Sequence, residues 1–200
     1  MNHAMPRLVP LMLAALLLAS CGAGLVVRQS AEWDQTDWYG KKVFVLPGLA
    51  AAGIGFSDPN PNDNVSAQLA AQLAKLPRYK KEQIVWYEEC CRIFSEKNHW
   101  PRYRELQQIF QQTGRVDLLQ LAELGTALGA EYLLVPLFLS TGYTSWEFSG
   151  IFSYYSAAVE LALYSVAEKE IVFRARARGY SLGDLEKAWI GAAEEVVKVF

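Results

Sequence analysis

The chain has 200 residues, of which 52% are hydrophobic, so it can bury one core of ordinary size and is not intrinsically disordered. Its 19 Lys and Arg face 21 Asp and Glu, and the resulting net charge of −2 lacks the basic excess of proteins that bind nucleic acid or anionic lipid. We therefore expect a single globular domain without a nucleic-acid partner.

The amino terminus has the residue order of an export signal. Arg7 precedes an apolar run from Leu8 to Ala19, and the small residue Ser20 follows it. The run is about a dozen residues long, whereas a helix that crosses a membrane needs about 20. It is too short to span a bilayer and is predicted to direct export.

The end of this run, "LASC" from Leu18 to Cys21, resembles the lipobox of bacterial lipoproteins. The resemblance implies a signal peptide over residues 1–20, cleavage between Ser20 and Cys21, and a covalent lipid on Cys21. Gly22 replaces the Asp that often retains lipoproteins in the inner membrane, which implies an outer-membrane anchor facing the periplasm. The alternative is a secreted protein with an incidental cysteine at this position.

The next segments predict a tether, two strands and a helix. Residues 21–39 show no strong hydrophobic period and are predicted to be the lipidated tether of a single domain over residues 40–200. "KKVFVLP", Lys41 to Pro47, predicts a strand and its turn. After a long loop, the apolar spacing from Val65 to Leu76 predicts a helix, and "QIVWYE", Gln83 to Glu88, predicts a second strand.

The middle of the chain contains signals for two helices and a buried strand. Pro101 suits the start of a helix and Gly114 its end. The spacing from Leu118 to Leu128 predicts a second helix with a glycine stop. Pro136 lies inside the next predicted strand, Glu131 to Leu139, which indicates an edge strand or a bulge.

The last third predicts a β-hairpin. Apolar residues alternate from Ala157 to Leu163 and from Ile171 to Ala177, so each strand has one apolar face. A three-residue turn, Ala167 to Lys169, keeps these faces aligned and places Glu160 opposite Arg176.

The final helix has Ser181 and Asp184 as a capping-box variant at its start, and its apolar side is expected to lie across the sheet. The order strand, helix, strand, helices, strand, hairpin and helix predicts an α+β fold, an α/β layer. We expect a mixed β-sheet of about five strands, with helices packed mainly on one face, a closing β-hairpin and a C-terminal helix.

Three stretches resemble a family of bacterial envelope lipoproteins with a TolB-N-terminal-like periplasmic domain, which includes CsgG, LpoB and PelC. They are "VFVLPG", "LAELGTALGAEYLLVP" and "AAVELALYSVAEKEIVFRARARG". Over residues 41–199 the layout is nearest to that of PelC, because the sequence has neither the spare long hairpins of CsgG nor the long Pro-rich tether of LpoB.

The resemblance implies a non-enzymatic, oligomeric structural component of an envelope export or assembly system for a polysaccharide or a protein. Its implied partners are the outer membrane, through the lipid anchor, further copies of the chain and an envelope protein. The alternative is a monomeric periplasmic regulator that binds and activates a cell-wall enzyme, as in LpoB.

The mature chain contains no recognisable catalytic motif. Its single histidine, His99, stands apart from any nucleophile motif, and no phosphate-binding loop or zinc-ligand spacing occurs. Glu88 and Glu89, as neighbours in a predicted strand, point to opposite faces and form a poor acid–base pair. We expect no catalytic residue, no metal and no cofactor beyond the covalent lipid on Cys21.

Cys90 and Cys91 are adjacent, and consecutive Cα atoms lie closer together than an unstrained disulfide prefers. We expect two partly buried thiols. A vicinal disulfide, or a metal or redox role, remains the alternative.

The stretch "STGYTSWEFSGIFSYYS", Ser140 to Ser156, has more aromatic residues than a hairpin connection needs. Without a bulge, the even-numbered aromatic residues from Trp146 to Tyr154 share a sheet face with Glu160, away from the helices. An exposed patch of this kind marks contact with a partner or a membrane, and the alternative is a lid over the core. The predicted contact residues here are Tyr143, Trp146, Phe148 and Phe152.

Three arginines, Arg174, Arg176 and Arg178, alternate with the apolar residues of the last strand. Their simplest interpretation is a solvated face, partly paired with Glu160 and of little value for stability, because exposed ion pairs contribute about 0–1 kcal/mol. The alternative is a basic strip that contacts an acidic partner or polymer, so the three arginines join the predicted contact residues.

Overall fold

The computed structural model describes residues 26–29, 38, 40–54, 66–67, 70–71, 74–75, 83–145, 153–182 and 184–198. The predicted signal peptide with Ser20, the lipidation site Cys21, and Trp146, Phe148 and Phe152 lie outside these ranges. Within the ranges, no helix is both long enough and apolar enough to cross a membrane.

The described strands form one mixed β-sheet. They are β1 (Val26–Gln29), β2 (Val43–Val45), β3 (Leu49–Ala50), β4 (Ile84–Val85), β5 (Tyr132–Ser145), β6 (Ser153–Ser165) and β7 (Glu170–Leu182). The sheet has seven strands in the order β1-β7-β6-β5-β2-β4, with β3 beside β5. This confirms the predicted mixed sheet and adds two short strands, β1 and β3. Strand β1 lies inside the segment predicted to be a tether.

Helices cover both faces of this sheet. They are α1 (Tyr87–Glu96), α2 (Trp100–Thr113), α3 (Leu118–Leu128) and α4 (Leu185–Val197). The first three pack on one face, against Leu133, Val135 and Leu137 of β5. Helix α4 covers the other face, where the rings of Trp189 and Phe138 meet edge to face at a centroid distance of 5.0 Å. The predicted α+β fold is confirmed, with most helices on one face and the closing helix across the other.

The helix ends follow local chemistry that the sequence predicts. Gly114 and Gly129 end α2 and α3 with a φ of 65° each, a left-handed conformation that glycine adopts at little cost. Asp184 caps the start of α4, where its side chain accepts hydrogen bonds from two backbone N–H groups. Ser181 belongs to β7, so the predicted capping box reduces to Asp184 alone.

The segment predicted as the second strand, Gln83 to Glu88, is a strand over two residues only and ends in a helix. Strand β4 covers only Ile84 and Val85, and α1 begins at Tyr87. The aromatic residues Trp86 and Tyr87 favour a strand. Glu88 and Glu89, which stand in the first turn of α1, favour a helix amino terminus, and this preference prevails.

Pro136 lies in the central strand β5, so the prediction of an edge or a bulge at this residue is wrong. Two backbone carbonyls of β5 accept hydrogen bonds on the side that faces β2 and β3. The Leu134 carbonyl accepts from the Leu46 N–H and the Phe138 carbonyl from the Ala51 N–H, each at 2.9 Å. Because alternate residues direct their backbone groups to the same side, the N–H that proline lacks would point between β2 and β3. The break between these two strands removes the need for a donor there.

The outer edge of β3 is closed by a side chain. Gln107 of α2 accepts the Ala50 N–H at 3.1 Å and donates its own amide N–H to the Ala50 carbonyl at 2.9 Å. One side chain therefore makes the two hydrogen bonds that a neighbouring strand would make.

The closing hairpin has the predicted register over most of its length, with Glu160 opposite Arg176. Its turn differs from the prediction and spans four residues, from Val166 to Lys169. A register shift at Leu163 leaves Val172 as an extra residue in β7 and offsets the longer turn. The alternating apolar faces fix the register, and the turn adapts to it.

Helix α4 approaches β7 closely at Gly179. A Cβ atom on this residue would lie 2.0 Å from the Ala188 carbonyl oxygen and 2.5 Å from the Ala192 nitrogen, both of them backbone atoms of α4. No side chain fits at such distances. Glycine at this position lets the helix lie directly on the strand.

Candidate interaction surface

The three long strands β5, β6 and β7 form a ribbon of 14, 13 and 13 residues. A strand of this length is about 43 Å long, whereas β2 and β3 have 3 and 2 residues. The pairing of β5 with β3 ends at Phe138. Residues 140–145, 153–158 and 178–182 therefore extend beyond the parallel part of the sheet, and we call them the ribbon tip.

A bulge in β5 decides which residues share a face of the ribbon tip. Phe138 lies opposite Val159, whereas Ser140 lies opposite Ala158, so Leu139 is the extra residue. Beyond the bulge, Tyr143 lies opposite Tyr155, on the face that α4 covers.

The predicted shared face of Tyr154 and Glu160 is confirmed, because β6 and β7 pair without a shift between these residues. The prediction that this face lies away from the helices is wrong. Ala162 and Tyr164 are on the same face and pack with α1, α2 and α3, and the Tyr164 hydroxyl donates to the Leu118 carbonyl at 2.8 Å. The physical reason is that the sheet is covered on both faces.

Glu160 is a buried carboxylate on this face. Its side chain is 5% exposed and accepts hydrogen bonds from Arg174 Nη1 at 3.0 Å and from Arg176 Nε and Nη2 at 3.0 and 2.8 Å. The two arginine side chains are 42% and 53% exposed, so they cover the carboxylate on its solvent side. The predicted pairing is confirmed, and these two arginines also neutralise a charge that the sheet has buried.

The basic surface continues on both sides of this ion pair. Arg178 is exposed on the ribbon tip, opposite Ala158. On the other side, Arg115 in the loop between α2 and α3 lines a cleft of about 340 Å³ together with Arg174 and Arg176. The lining of this cleft holds three arginines and one carboxylate, Glu160. The surface is therefore locally basic in a chain whose net charge is negative.

The ribbon tip carries tyrosines on both faces. Tyr143 and Tyr155 lie on one face with ring centroids 5.0 Å apart, and Tyr154 and Tyr180 lie on the other at 6.2 Å. Tyr143, Tyr180 and Leu182 are 59%, 43% and 71% exposed. These three side chains face solvent and leave an amphipathic surface uncovered.

The structure brings the described members of the predicted contact surface to one ribbon but not to one face. Tyr143 lies on the α4 face, whereas Arg174, Arg176 and Arg178 lie on the Glu160 face. Tyr180 and Leu182 are not among the predicted contact residues. The signal that identifies them is the alternation of β7, which continues past Arg178 and turns both residues to the same face.

Two of the titratable residues considered for catalysis, His99 and Glu89, have lowered pKa values. Burial, followed by the nearby Lys97 and Arg102, lowers the pKa of His99. Glu89 lies on α1, where hydrogen bonds from Arg92 lower the pKa of its carboxyl group. In the part of the chain that the structure describes, no three His, Cys, Asp or Glu side chains are placed to hold a metal ion.

Cys90 and Cys91 of α1 are both thiols, the first buried and the second half-buried. Burial raises the pKa of the Cys90 thiol well above its usual value. The thiolate is the reactive form of cysteine, so burial disfavours the reactive form of Cys90. The predicted pair of partly buried thiols agrees with the structure.

No family model matches the chain, and no curated protein matches it. Among solved structures it is similar to PelC from Paraburkholderia phytofirmans, a dodecamer, with 12% identity, 86% of this chain and 94% of that chain covered, and a TM-score of 0.49. Lipoprotein GNA1162 from Neisseria meningitidis has 13% identity and a TM-score of 0.47, and the match covers 72% of this chain and 84% of that chain. The LpoB C-terminal domain from Salmonella enterica has 13% identity and a TM-score of 0.36, and the match covers 72% of this chain and 98% of that chain. PelC and LpoB are thus structural neighbours of this chain as well as members of the family that its sequence resembles.

Proposed function

We propose that this chain is a lipid-anchored, non-enzymatic protein of the outer membrane that faces the periplasm. It acts as an oligomeric structural component of an envelope export or assembly system for a polysaccharide or a protein. The observation that carries the proposal is the apolar export run followed by "LASC", Leu18 to Cys21. A protein held at a membrane in this way is placed to assemble with envelope partners.

The chemistry of the described surface supports a structural role. Its one buried carboxylate, Glu160, is paired with Arg174 and Arg176, and its exposed aromatic residues suit contact with another surface. A protruding ribbon with such side chains provides area for association.

Replacing Cys21 with serine should abolish the anchor. Serine lacks the thiol that receives the lipid, so lipidation and the cleavage that follows it should fail. We expect the uncut precursor to accumulate and the protein to leave the outer-membrane fraction for a soluble or inner-membrane fraction. Immunoblots of fractionated cells measure both effects, and Cys91→Ser should fractionate like the wild type. Outer-membrane fractionation of Cys21→Ser would contradict the lipid anchor.

The oligomeric state distinguishes the structural role from the alternative of a monomeric regulator of a cell-wall enzyme. Light scattering of the detergent-extracted protein should give a mass several times that of the lipidated monomer, because a structural ring or scaffold needs repeated contacts between copies. A monomer at every concentration tested would favour the regulator.

A further inference from the structure

The cleft of about 340 Å³ beside the Glu160 ion pair has the size of a ligand site. Clefts that hold small ligands start at about 300 Å³. Arg115 lines it from the loop between α2 and α3, and Arg174 and Arg176 line it from β7. Among the described residues of its lining, these three positive charges face one negative charge, that of Glu160. The cleft therefore has an excess of positive charge that a bound acidic group would balance.

The Glu160 carboxylate uses only part of the hydrogen-bonding capacity of the two β7 arginines. A guanidinium group has five N–H donors on three nitrogens. Glu160 accepts from Nη1 of Arg174 and from Nε and Nη2 of Arg176. Nη2 of Arg174 and Nη1 of Arg176 meet no acceptor among the described residues, and both side chains are about half exposed. Glu160 thus holds two arginines in place and leaves donors for a second acidic group.

Arg115 supplies a charge that the described part of the chain does not compensate. Its backbone N–H donates to the Thr113 hydroxyl at 3.1 Å, and this hydroxyl donates to the Ile109 carbonyl at 2.7 Å, so the loop is tied to the end of α2. The exposed Arg115 side chain has no ion pair with a described residue. Nearby, the Asp117 carboxylate accepts the N–H groups of Leu119 and Gln120 as the cap of α3. The loop presents a free guanidinium from a fixed backbone, which lowers the entropic cost of binding.

An apolar wall adjoins these arginines. Leu118 at the start of α3 is 36% exposed, and Val116 and Leu139 are half-buried. The hydrogen bond from the Tyr164 hydroxyl to the Leu118 carbonyl, at 2.8 Å, fixes the start of α3 against the sheet. The cleft therefore suits an occupant that carries an acidic group next to an apolar one.

The wall favours a peptide over an acidic polysaccharide. A sugar acid carries hydroxyl groups around its ring, and each of them needs a new hydrogen-bond partner when it leaves water. The wall consists of aliphatic side chains, which offer no such partner. The single aromatic residue of the described lining, Phe110, is 1% exposed, so its ring is closed to a sugar. A Glu or Asp residue with an apolar neighbour provides both the charge and the apolar surface.

We propose that this cleft binds an acidic peptide segment of an envelope protein. A Glu or Asp carboxylate of the segment lies among Arg115, Arg174 and Arg176, and an adjacent apolar side chain packs on Leu118. The inference deepens the proposed function by naming the chemistry of a partner, and it rests on that function for the location of the partner in the envelope. The site is narrower than the arginine row of β7, because Arg178 lies outside the lining of the cleft.

The test uses the full lipidated protein, extracted in a deuterated non-ionic detergent, and three synthetic peptides with blocked ends. Their sequences are Gly-Leu-Glu-Leu-Gly, the same with Gln in place of Glu, and the same with Ser in place of both Leu residues. Saturation-transfer NMR reports contact of the peptide protons with the protein, and a titration gives the dissociation constant. Circular dichroism checks that each protein variant is folded.

We expect the Leu-Glu-Leu peptide to bind, and the other two to bind at least about fivefold more weakly. Arg115→Gln should weaken binding of the Leu-Glu-Leu peptide about tenfold, because a charged hydrogen-bond donor is lost. The matched control on the same surface is Arg178→Gln, which should change the dissociation constant less than about twofold.

A second pair of variants tests the apolar wall. Leu118→Ser should weaken binding of the Leu-Glu-Leu peptide about threefold, because apolar contact area is lost. Leu119→Ser changes the next residue of α3, which is 72% exposed and lies outside the lining of the cleft. It should change the dissociation constant less than about twofold.

Four results would overturn the proposal. They are absence of saturation transfer to the Leu-Glu-Leu peptide, equal weakening by Arg115→Gln and Arg178→Gln, binding of trigalacturonate as tight as that of the peptide, and a fall in oligomer mass with Arg115→Gln. The third result would assign the cleft to an acidic polysaccharide, and the fourth to a second copy of the chain. Peptide binding by a protein that is monomeric or absent from the membrane fraction would overturn the proposed function and leave the cleft as a peptide site.

Discussion

Replacing Gly179 with alanine should lower the free energy of unfolding by about 3 kcal/mol, the upper end of the usual range for an overpacked core. The added Cβ would lie 2.0 Å from the Ala188 carbonyl oxygen and 2.5 Å from the Ala192 nitrogen. Both are backbone atoms, so no side-chain rotation relieves the contact and α4 has to move away from β7. Urea unfolding followed by circular dichroism measures the change.

The matched control is Gly191→Ala on the same helix. A Cβ on Gly191 meets no atom within 4 Å outside its chain neighbours and the backbone of its own helix, and alanine favours a helix over glycine by up to about 1 kcal/mol. This variant should be as stable as the wild type or more stable. Equal stability of Gly179→Ala and the wild type would contradict the close packing of α4 on β7.

Replacing both Arg174 and Arg176 with glutamine should lower the free energy of unfolding by about 2 kcal/mol. The Glu160 carboxylate, 5% exposed, would lose its three charged hydrogen bonds and remain covered by the sheet. The expected loss stays below that of a fully buried pair because both arginines are about half exposed. Thermal and urea unfolding measure it.

Adding Glu160→Gln to the double arginine variant should restore most of the lost stability, since a neutral amide needs no counter-charge. Arg178→Gln alone should change the free energy of unfolding by less than about 0.5 kcal/mol, as for a surface substitution. If the double variant were as stable as the wild type, the arginine row would be the solvated face that the sequence first suggests.

The features that the sequence predicts are those governed by neighbouring residues. Gly114 and Gly129 end helices because the left-handed conformation favours glycine wherever it occurs. The pairing of Glu160 with Arg176 follows from two alternating strands that must share one apolar face. Neither depends on a distant part of the chain.

The features that it misses are decided by tertiary contacts. The short strand β1 contains Arg28 and Gln29 and is held by its pairing with β7, which no local pattern reveals. Pro136 is tolerated in a central strand because the neighbouring strands break beside it. The need for glycine at position 179 arises from a helix that follows it in the chain.

The side chain of Gln107 also bears on the solubility of the protein. A strand edge with unpaired N–H and C=O groups is a template on which other chains add strands and aggregate. Gln107 makes hydrogen bonds with both the N–H and the C=O group of Ala50, so the outer edge of β3 offers no such template. A single amide on a helix thereby restricts growth of the sheet at this edge.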